Sequence, residues 1–331
     1  MDVGEFHTLY QRIRSELARV VVGHEEVVEG VLLAVLSGGH ALLEGVPGVG
    51  KTLLVKTLAR VLGLKFSRIQ FTPDLMPADV VGTNVLVQDA EGRRWLTFQR
   101  GPIFSQIVLA DEINRATPKT QSALLEAMQE GAVTVAGVSY PLERPFFVLA
   151  TQNPIEMEGT YPLPEAQLDR FLFKLRVPFP DTQAVVEILE RTTGAQVPEV
   201  RPVAEADGVL RMQALVREIL TAPHVQAYVA RLVEATHPQG PRPARAAKRW
   251  VRYGASPRGA QALLLAAKAR ALVHGRVHVS VEDVQAVALP ALRHRLLLNF
   301  EAEAEGIDPD HVVREIVEEV PEATPAAGAR P

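Results

Sequence analysis

The amino-acid sequence predicts an α/β fold, in which a parallel sheet lies between helices and a small all-α domain follows. Apolar runs of strand length at residues 41–43, 107–110 and 146–150 indicate the sheet. The second and third runs are continuously apolar, as is typical of parallel strands buried on both faces. After residue 207 the apolar residues recur with helical spacing, which predicts the helical domain.

A glycine-rich turn follows the first run and leads into an amphipathic helix. It fits G-x-x-x-x-G-K-T, in which glycines let backbone N–H groups face phosphate oxygens and the helix N-terminus favours negative charge. Lys51 would reach the β- and γ-phosphates, and Thr52 would ligate Mg²⁺. A surface turn could carry the same letters, but the flanking strand and helix favour a phosphate site. The residues expected to contact ATP here are Gly45, Val46, Pro47, Gly48, Val49, Gly50, Lys51, Thr52 and Leu53.

Composition limits the class of protein. The chain has 331 residues with a net charge of −4, so no general basic field points to nucleic acid. It has no cysteine, which excludes disulfides, iron–sulfur clusters and thiol catalysis. Its longest uncharged run, 30–43, is too short to cross a bilayer, and the first residues do not form a signal peptide. We therefore expect a cytoplasmic protein without a membrane span.

Two helices are predicted before the glycine-rich turn, over 5–20 and 25–36. Val22 and Gly23 lie between them. A segment that precedes a phosphate-loop strand often packs beside the base of the nucleotide, so both residues are candidate ATP contacts. A buried connector between two helices explains them equally well.

Hairpins and a further strand are predicted between the apolar runs. Residues 65–71 alternate as a strand does, and hairpins are expected at about 85–98 and 132–140 around turn sequences. A helix is expected to begin with Thr117 as its cap and Pro118 at its first position.

Carboxylates at the end of the run 107–110 form the second chemical landmark. Asp111 and Glu112 follow a buried strand, where α/β proteins bind their ligands. After a phosphate loop, Asp111 would hold Mg²⁺ through water and Glu112 would polarise the attacking water. Asn153 follows the next strand and could orient that water, although Asn-Pro is also a common turn.

The second half is predicted to be helical. Residues 192–207 are rich in Pro, Gly and Ala and predict a linker, which divides the chain into 1–195, a helical lid at 196–300 and a terminal helix with a disordered tail at 301–331. Ser280 and Asp283 predict a capping box. The basic run 242–252 is either a solvated face or a site for an acidic partner.

Long sequence runs resemble the MoxR family of AAA+ ATPases. The matching runs are GVPGVGKT (45–52), LADEINRA (109–116), KTQSALLEAMQEG (119–131), ATQNPIE (150–156), GTYPLPEAQLDRF (159–171), GASPRGA (254–260) and HGRVHVSVEDV (274–284). The resemblance covers about residues 5–300. Two residues depart from the family pattern. His24 stands where the family usually has glutamine, and Met157 stands where glutamine is common.

The resemblance implies a role for each matching residue. Residues 45–52 correspond to Walker A, Asp111 and Glu112 to Walker B, and Asn153 to sensor 1. Arg170 corresponds to the arginine finger that enters the site of the neighbouring subunit, and Arg258 to sensor 2. The resemblance thus implies a homo-oligomeric ring, with a hexamer as the expected form, that uses ATP and Mg²⁺.

Three functions fit these patterns. The first is a chaperone-like ATPase that remodels a protein client, often with a partner that carries a von Willebrand factor A domain, as the resemblance implies. The second is a nucleic-acid motor, which is disfavoured because residues 135–138 at the tip of the second hairpin carry no cation. The third is a scaffold that binds ATP with negligible turnover, against which Glu112 and Asn153 argue.

Overall fold

The computed structural model describes residues 1–154, 159–194 and 199–322. Within them the helices are α1 (Val3–Ala18), α2 (Glu25–Leu36), α3 (Lys51–Val61), α4 (Pro77–Val81), α5 (Pro118–Glu130), α6 (Glu165–Leu168), α7 (Thr182–Thr193), α8 (Ala206–Glu218), α9 (Pro223–Ala235), α10 (Arg245–Trp250), α11 (Pro257–Val273), α12 (Val281–Leu292), α13 (Phe300–Ala304) and α14 (Pro309–Glu319). The strands are β1 (Ala41–Glu44), β2 (Phe66–Gln70), β3 (Gly82–Gln88), β4 (Arg94–Arg100), β5 (Ile107–Asp111), β6 (Ala132–Val135), β7 (Val138–Pro141), β8 (Phe147–Gln152), β9 (Phe173–Arg176), β10 (Val251–Tyr253) and β11 (Leu297–Leu298).

A parallel sheet of five strands forms the centre of the N-terminal part, in the order β2-β5-β8-β1-β9. Successive side chains of β5 enter different cores: Leu109 packs on one face of the sheet and Val108 on the other. Helices α1, α2 and α3 contribute to the first core and α5 to the second. Because both faces are covered, the inner strands β5 and β8 are largely apolar, and the predicted α/β fold is confirmed.

The register of the sheet brings its functional ends together. Gln70 at the end of β2 pairs with Asp111 at the end of β5, and Glu44 at the end of β1 pairs with Gln152 at the end of β8. Parallel strands share one carboxyl edge, so the glycine-rich turn after β1 lies beside the carboxylates after β5.

Both predicted hairpins are present. The first, β3 with β4, extends beyond its predicted arms to Gly82 and Arg100, while the second is β6 with β7. Phe98 of the first hairpin stacks on Tyr140 of the second, with ring centroids 4.1 Å apart. The helix that begins at Pro118 is also confirmed, but the Thr117 side chain makes no capping hydrogen bond to the backbone.

Two helices of the second half differ from the bounds that the sequence predicts. The helix expected over 213–220 is α8, which begins at Ala206 and overlaps the expected linker 192–207 by two residues. Val209 and Met212 of this helix are fully buried, and their packing against the core accounts for the earlier start. The single helix expected at 301–320 is two helices, α13 and α14, because Asp308 caps a new helix start at Pro309.

The helical C-terminal part packs directly against the sheet-containing part. Leu263 of α11 and Val284 of α12 belong to the same hydrophobic core as Phe6 of α1 and Val31 of α2. The predicted boundary near 195 and residues 323–331 of the predicted disordered tail, 321–331, lie outside the described residues, so the domain division stays a prediction. Among the residues described, no helix has the length and apolar character needed to cross a membrane.

Candidate nucleotide-binding and hydrolysis site

The glycine-rich turn between β1 and α3 has the backbone that a phosphate site needs. Gly48 and Gly50 adopt φ values of 82° and 86°, a left-handed conformation that only glycine takes readily. Gly45 is required for another reason, because a Cβ there would lie 2.7 Å from the carbonyl oxygen of Val177. Gly50 directly precedes the first residue of α3, so the turn leads its N–H groups to a helix N-terminus.

Lys51 is directed back into the turn. Its ammonium group donates to the carbonyl oxygens of Gly45 and of Val46, the latter at 2.9 Å. Burial lowers the pKa of Lys51 from its usual value, while the charges of Asp111 and Glu112 raise it. The cation is thus held near both carboxylates, within reach of any anion that enters the turn.

His24 supports the turn from behind, a role that the sequence did not indicate. The side chain is buried, and its Nε2 lies 3.0 Å from the carbonyl oxygen of Val49. Gly23, its neighbour, approaches α7 so closely that a Cβ would lie 2.6 Å from that of Ala184. Val22 and Gly23 therefore connect two helices beside the phosphate turn. Neither residue borders the cleft described below, so their contact with the base of a nucleotide stays a prediction.

Asp111 is fixed by two side chains that sequence reasoning missed. Arg68 of β2 donates to Oδ2 of Asp111 through Nε at 3.0 Å and Nη2 at 2.7 Å. Thr151 of β8 donates to the other oxygen, Oδ1, at 2.6 Å. Both partners sit on strands that neighbour β5, so only the strand order of the sheet could have identified them.

Glu112 has an unusual backbone conformation. Its φ of 55° is in the left-handed region, where a residue with a side chain costs about 1–3 kcal/mol, and such residues cluster at functional sites. Its N–H donates to Oγ1 of Thr151 at 2.8 Å, which stabilises this conformation. The carboxylate accepts a hydrogen bond from Nε2 of Gln70 at 3.0 Å and lies 3.4 Å from Nε of Arg115.

These groups surround one cleft of about 430 Å³ at the carboxyl edge of the sheet. Asn153 borders it and is itself mostly buried. The structure thus brings Lys51, Asp111, Glu112 and Asn153 together, whereas the predicted ATP contacts Gly45, Val46 and Val49 do not border the cleft. The lining residues are Pro47, Gly48, Gly50, Lys51, Thr52, Leu53, Arg68, Asp111, Glu112, Thr151, Gln152 and Asn153.

The donor set suits Mg²⁺. The Thr52 hydroxyl and the Asp111 carboxylate border the same cleft, and oxygen atoms are the ligands that this cation prefers. Among the described residues no group of three or more His, Asp or Glu side chains could hold a metal by itself. Mg²⁺ bound with one or two protein ligands and the phosphates of a nucleotide fits that arrangement.

Arg170 and Arg258 do not border this cleft. They lie together on a second cleft of about 210 Å³ between the end of α5 and the start of α11. Nη1 of Arg170 donates to the carbonyl oxygen of Leu125 at 2.6 Å, and Arg258 is exposed in the first turn of α11. Ser256 caps this helix by accepting a hydrogen bond from the N–H of Arg258. Asp169 and Arg295 complete the charged lining of the second cleft.

Comparison with known proteins gives consistent matches over the whole chain. Residues 40–173 match the family described as "ATPase family associated with various cellular activities (AAA)", and residues 243–316 match the AAA lid domain. The chain is 46% identical to Chaperone MoxR1 of Mycobacterium tuberculosis, over 99% of this chain and 85% of that protein. It is 45% identical to the uncharacterized protein YeaC of Bacillus subtilis, over 96% and 95%. A crystal structure of a protein from Cytophaga hutchinsonii superposes with a TM-score of 0.88 at 39% identity, over 98% of this chain and 97% of that chain.

Proposed function

Because the chain belongs to the MoxR family of AAA+ ATPases, we propose that it hydrolyses ATP at sites shared between neighbouring subunits of a ring. The observation that carries this proposal is the separation of two charged clefts. Lys51, Asp111 and Glu112 converge on one cleft, while Arg170 and Arg258 converge on the other. A second copy that presents its arginine cleft to the first cleft would complete the site, and repetition of that contact around an axis closes a ring.

Binding of ATP would use the backbone of residues 48–50 together with Lys51. The Lys51 ammonium would exchange the carbonyl oxygens of Gly45 and Val46 for phosphate oxygens, and the base would lie against Val22 and Gly23. Thr52 directly and Asp111 through water would hold Mg²⁺. When bound, this cation neutralises charge on the phosphates.

Hydrolysis would use Glu112 as the group that polarises the attacking water and accepts its proton. In the present structure Gln70 and Arg115 both contact that carboxylate, so it has to turn from them toward the water. Thr151 anchors the Glu112 backbone during this movement, since its hydroxyl accepts from the N–H. Asn153 would orient the water, and Arg170 of the adjacent copy would stabilise charge on the γ-phosphate.

The proposal is tested by mixing two inactive variants, Glu112→Gln and Arg170→Ala. Each abolishes one half of a shared site, so each alone should hydrolyse ATP about 10³-fold more slowly than the unmodified protein. In a co-expressed mixture, about a quarter of the contacts between subunits would join an intact Glu112 to an intact Arg170. Recovery of a comparable fraction of activity is the expected result. A mixed oligomer that stays inactive would show that Arg170 does not act across subunits.

We further propose that the ATP cycle remodels a protein client and that the ring is a hexamer. The name of the relative Chaperone MoxR1 supports the first part. A protein with a von Willebrand factor A domain from the source organism is the proposed partner. Stimulation of ATP hydrolysis by that protein, together with a six-subunit mass by light scattering, is the expected outcome. Stimulation by DNA instead, lost at raised salt, would point to a nucleic-acid motor.

A further inference from the structure

The segment that carries Arg170 is held by an arginine from the C-terminal half of the chain. Arg295 follows α12, more than 120 residues away in sequence, yet all five of its N–H donors have partners. Its Nε donates to Oδ1 of Asp169 at 2.8 Å, and its Nη2 donates to the carbonyl oxygens of Asp169 at 3.1 Å and of Phe171 at 2.7 Å. Its Nη1 donates to the carbonyl oxygen of Leu172 at 3.1 Å and to that of Ala291. Residues 169, 171 and 172 are thus fixed on both sides of Arg170.

Because Arg295 is buried, its hydrogen bonds tolerate little displacement of their acceptors. The Arg295 side chain is 2% exposed, and its carboxylate partner among the described residues is Asp169. A buried guanidinium loses its hydration, and the loss is offset only when geometry and hydrogen bonds are nearly complete. Movement of the 169–172 segment by an ångström would leave donors of Arg295 without acceptors, so the position of this segment is sharply defined.

Asp169 also connects Arg170 with Arg258 in the second cleft. Its Oδ2 accepts a hydrogen bond from Oγ of Ser256 at 2.7 Å, while Oδ1 accepts from Arg295. The same Ser256 oxygen caps α11 by accepting from the N–H of Arg258 at 3.1 Å. One carboxylate therefore sets the position of Arg170, which is the next residue, and of the helix turn that carries Arg258.

We propose that Arg295, acting through Asp169, is a positioning residue that aims Arg170 at the nucleotide site of the neighbouring subunit. This role rests on the proposed function, in which Arg170 completes that site. Arg295 itself does not touch the nucleotide. It orders the loop around Arg170, so that the guanidinium reaches the neighbour without a search through loop conformations.

Arg293 provides a matched control. It lies two residues before Arg295 and is mostly buried, with a side chain that is 11% exposed. It pairs with Asp310 of α14 at 2.9 Å, and it joins the C-terminal half to the sheet by donating to the carbonyl oxygen of Lys174 in β9 at 3.3 Å. No hydrogen bond or ion pair described for Arg293 involves residues 169–172. A general loss of packing between the two halves would affect Arg293 and Arg295 variants alike.

The test determines which half of the shared site the variant Arg295→Lys impairs. The lysine keeps the charge but loses the planar fork, so kcat should fall about tenfold to hundredfold while the KM for ATP changes by less than about threefold. Co-expressed with Glu112→Gln under different tags and purified through both, Arg295→Lys should recover activity, because its own nucleotide site is intact. Co-expressed with Arg170→Ala it should not, because both chains then lack a competent arginine. Arg293→Lys should keep kcat within about twofold.

The outcomes separate this proposal from the one on which it rests. If Arg170→Ala complements Glu112→Gln but Arg295→Lys does not, Arg295 acts within its own subunit and the positioning role is wrong. If Arg170→Ala fails as well, the shared site is wrong and the positioning role falls with it. Asp169→Asn, which retains the side-chain shape but removes the charge, should behave as Arg295→Lys does. This variant decides the question if Arg295→Lys does not fold, as judged by its thermal midpoint.

Discussion

The two charged clefts differ in how they are built. We call the cleft with Lys51, Asp111 and Glu112 the phosphate cleft, and the cleft with Arg170 and Arg258 the arginine cleft. The phosphate cleft takes its groups from the ends of neighbouring parallel strands, so Arg68, Asp111 and Thr151 meet wherever the sheet forms. The arginine cleft joins Asp169 to Ser256 and Arg295 of the C-terminal half, which lie 87 and 126 residues further along the chain. The first cleft is a product of strand order, and the second is a product of packing between the two halves of the chain.

This difference separates the binding of the nucleotide from the completion of the hydrolysis site by a neighbouring subunit. A cleft whose groups lie on neighbouring strands should keep its shape when the two halves of the chain shift. A cleft that is held together by Asp169 and Arg295 changes whenever the two halves shift. We therefore expect variants of the first cleft to act within one subunit and variants of the second to act on the next one.

The largest effect is expected for Glu112→Gln in the phosphate cleft. The amide cannot accept a proton from water, so kcat should fall about 10³-fold while ATP binding is retained. Filter binding of labelled ATP and phosphate release measure the two separately. Glu91→Gln, on the exposed first hairpin, is the matched control and should be unchanged. Loss of ATP binding in Glu112→Gln would contradict the assigned role.

Two buried neutral histidines, His40 and His294, contact residues of the arginine cleft, and this predicts a loss of stability in acid. His40 accepts from the N–H of Val148 at 3.0 Å and donates to the carbonyl oxygen of Met128 at 3.2 Å, and burial lowers its pKa from 6.5 to about 4. His294, 3.1 Å from the carbonyl oxygen of Phe171, also has a pKa lowered well below 6.5 by burial and by Arg295.

Since both folded-state pKa values are lowered, the unfolded chain binds more protons below pH 6.5. The stability that neutral histidines provide is present above that pH and is lost as the pH falls. For His40 alone the loss between pH 7 and pH 5 is about 2 kcal/mol, as urea unfolding would measure. His40→Gln should reduce the pH dependence and leave the His294 part. The exposed His224→Gln should not alter it, and an unchanged slope in His40→Gln would refute the assignment.

Motifs in the sequence predicted the phosphate cleft well because one stretch of chain contains most of its chemistry. Residues 45–52 contain the turn, the cation and the hydroxyl, and the run before Asp111 marks the neighbouring strand. Arg68 and Gln70 were missed because an alternating strand shows only which of its residues are polar. Their contacts with Asp111 and Glu112 follow from the pairing of β2 with β5, which no local pattern contains.

The arginine cleft could be anticipated only through resemblance. A lone arginine such as Arg170 has no local signature, and Arg295 lies in a segment without any motif. The helix start at Ser256 was predictable from capping chemistry, but its link to Asp169 was not. The early start of α8 was likewise missed, because burial of Val209 and Met212 depends on the rest of the core.

A moderate effect is expected for Thr151→Val, which tests whether strand order alone suffices for the phosphate cleft. The valine fills the same space but neither donates to Asp111 nor accepts from the N–H of Glu112. Thr151 is 1% exposed, so the unpaired N–H should cost about 1–3 kcal/mol of stability. We expect kcat to fall about tenfold as Glu112 loses its anchor. Thr151→Ser restores the hydroxyl and should restore both quantities; failure of that rescue would assign the effect to packing.

The smallest effect is expected for Arg68→Ala. Arg68 holds Oδ2 of Asp111, so it competes with the cation that this carboxylate would bind. The Arg68 side chain is 50% exposed, and an ion pair at such a position is worth about 1 kcal/mol or less. Its removal should therefore lower the Mg²⁺ concentration for half-maximal ATP hydrolysis by about twofold to fivefold. Arg60→Ala, on the exposed side of α3, should leave it unchanged. A rise in the Mg²⁺ requirement would show instead that Arg68 contacts the phosphates. In that case Arg68, within the same subunit as Lys51, would take the role that is assigned to Arg170 of the neighbouring subunit.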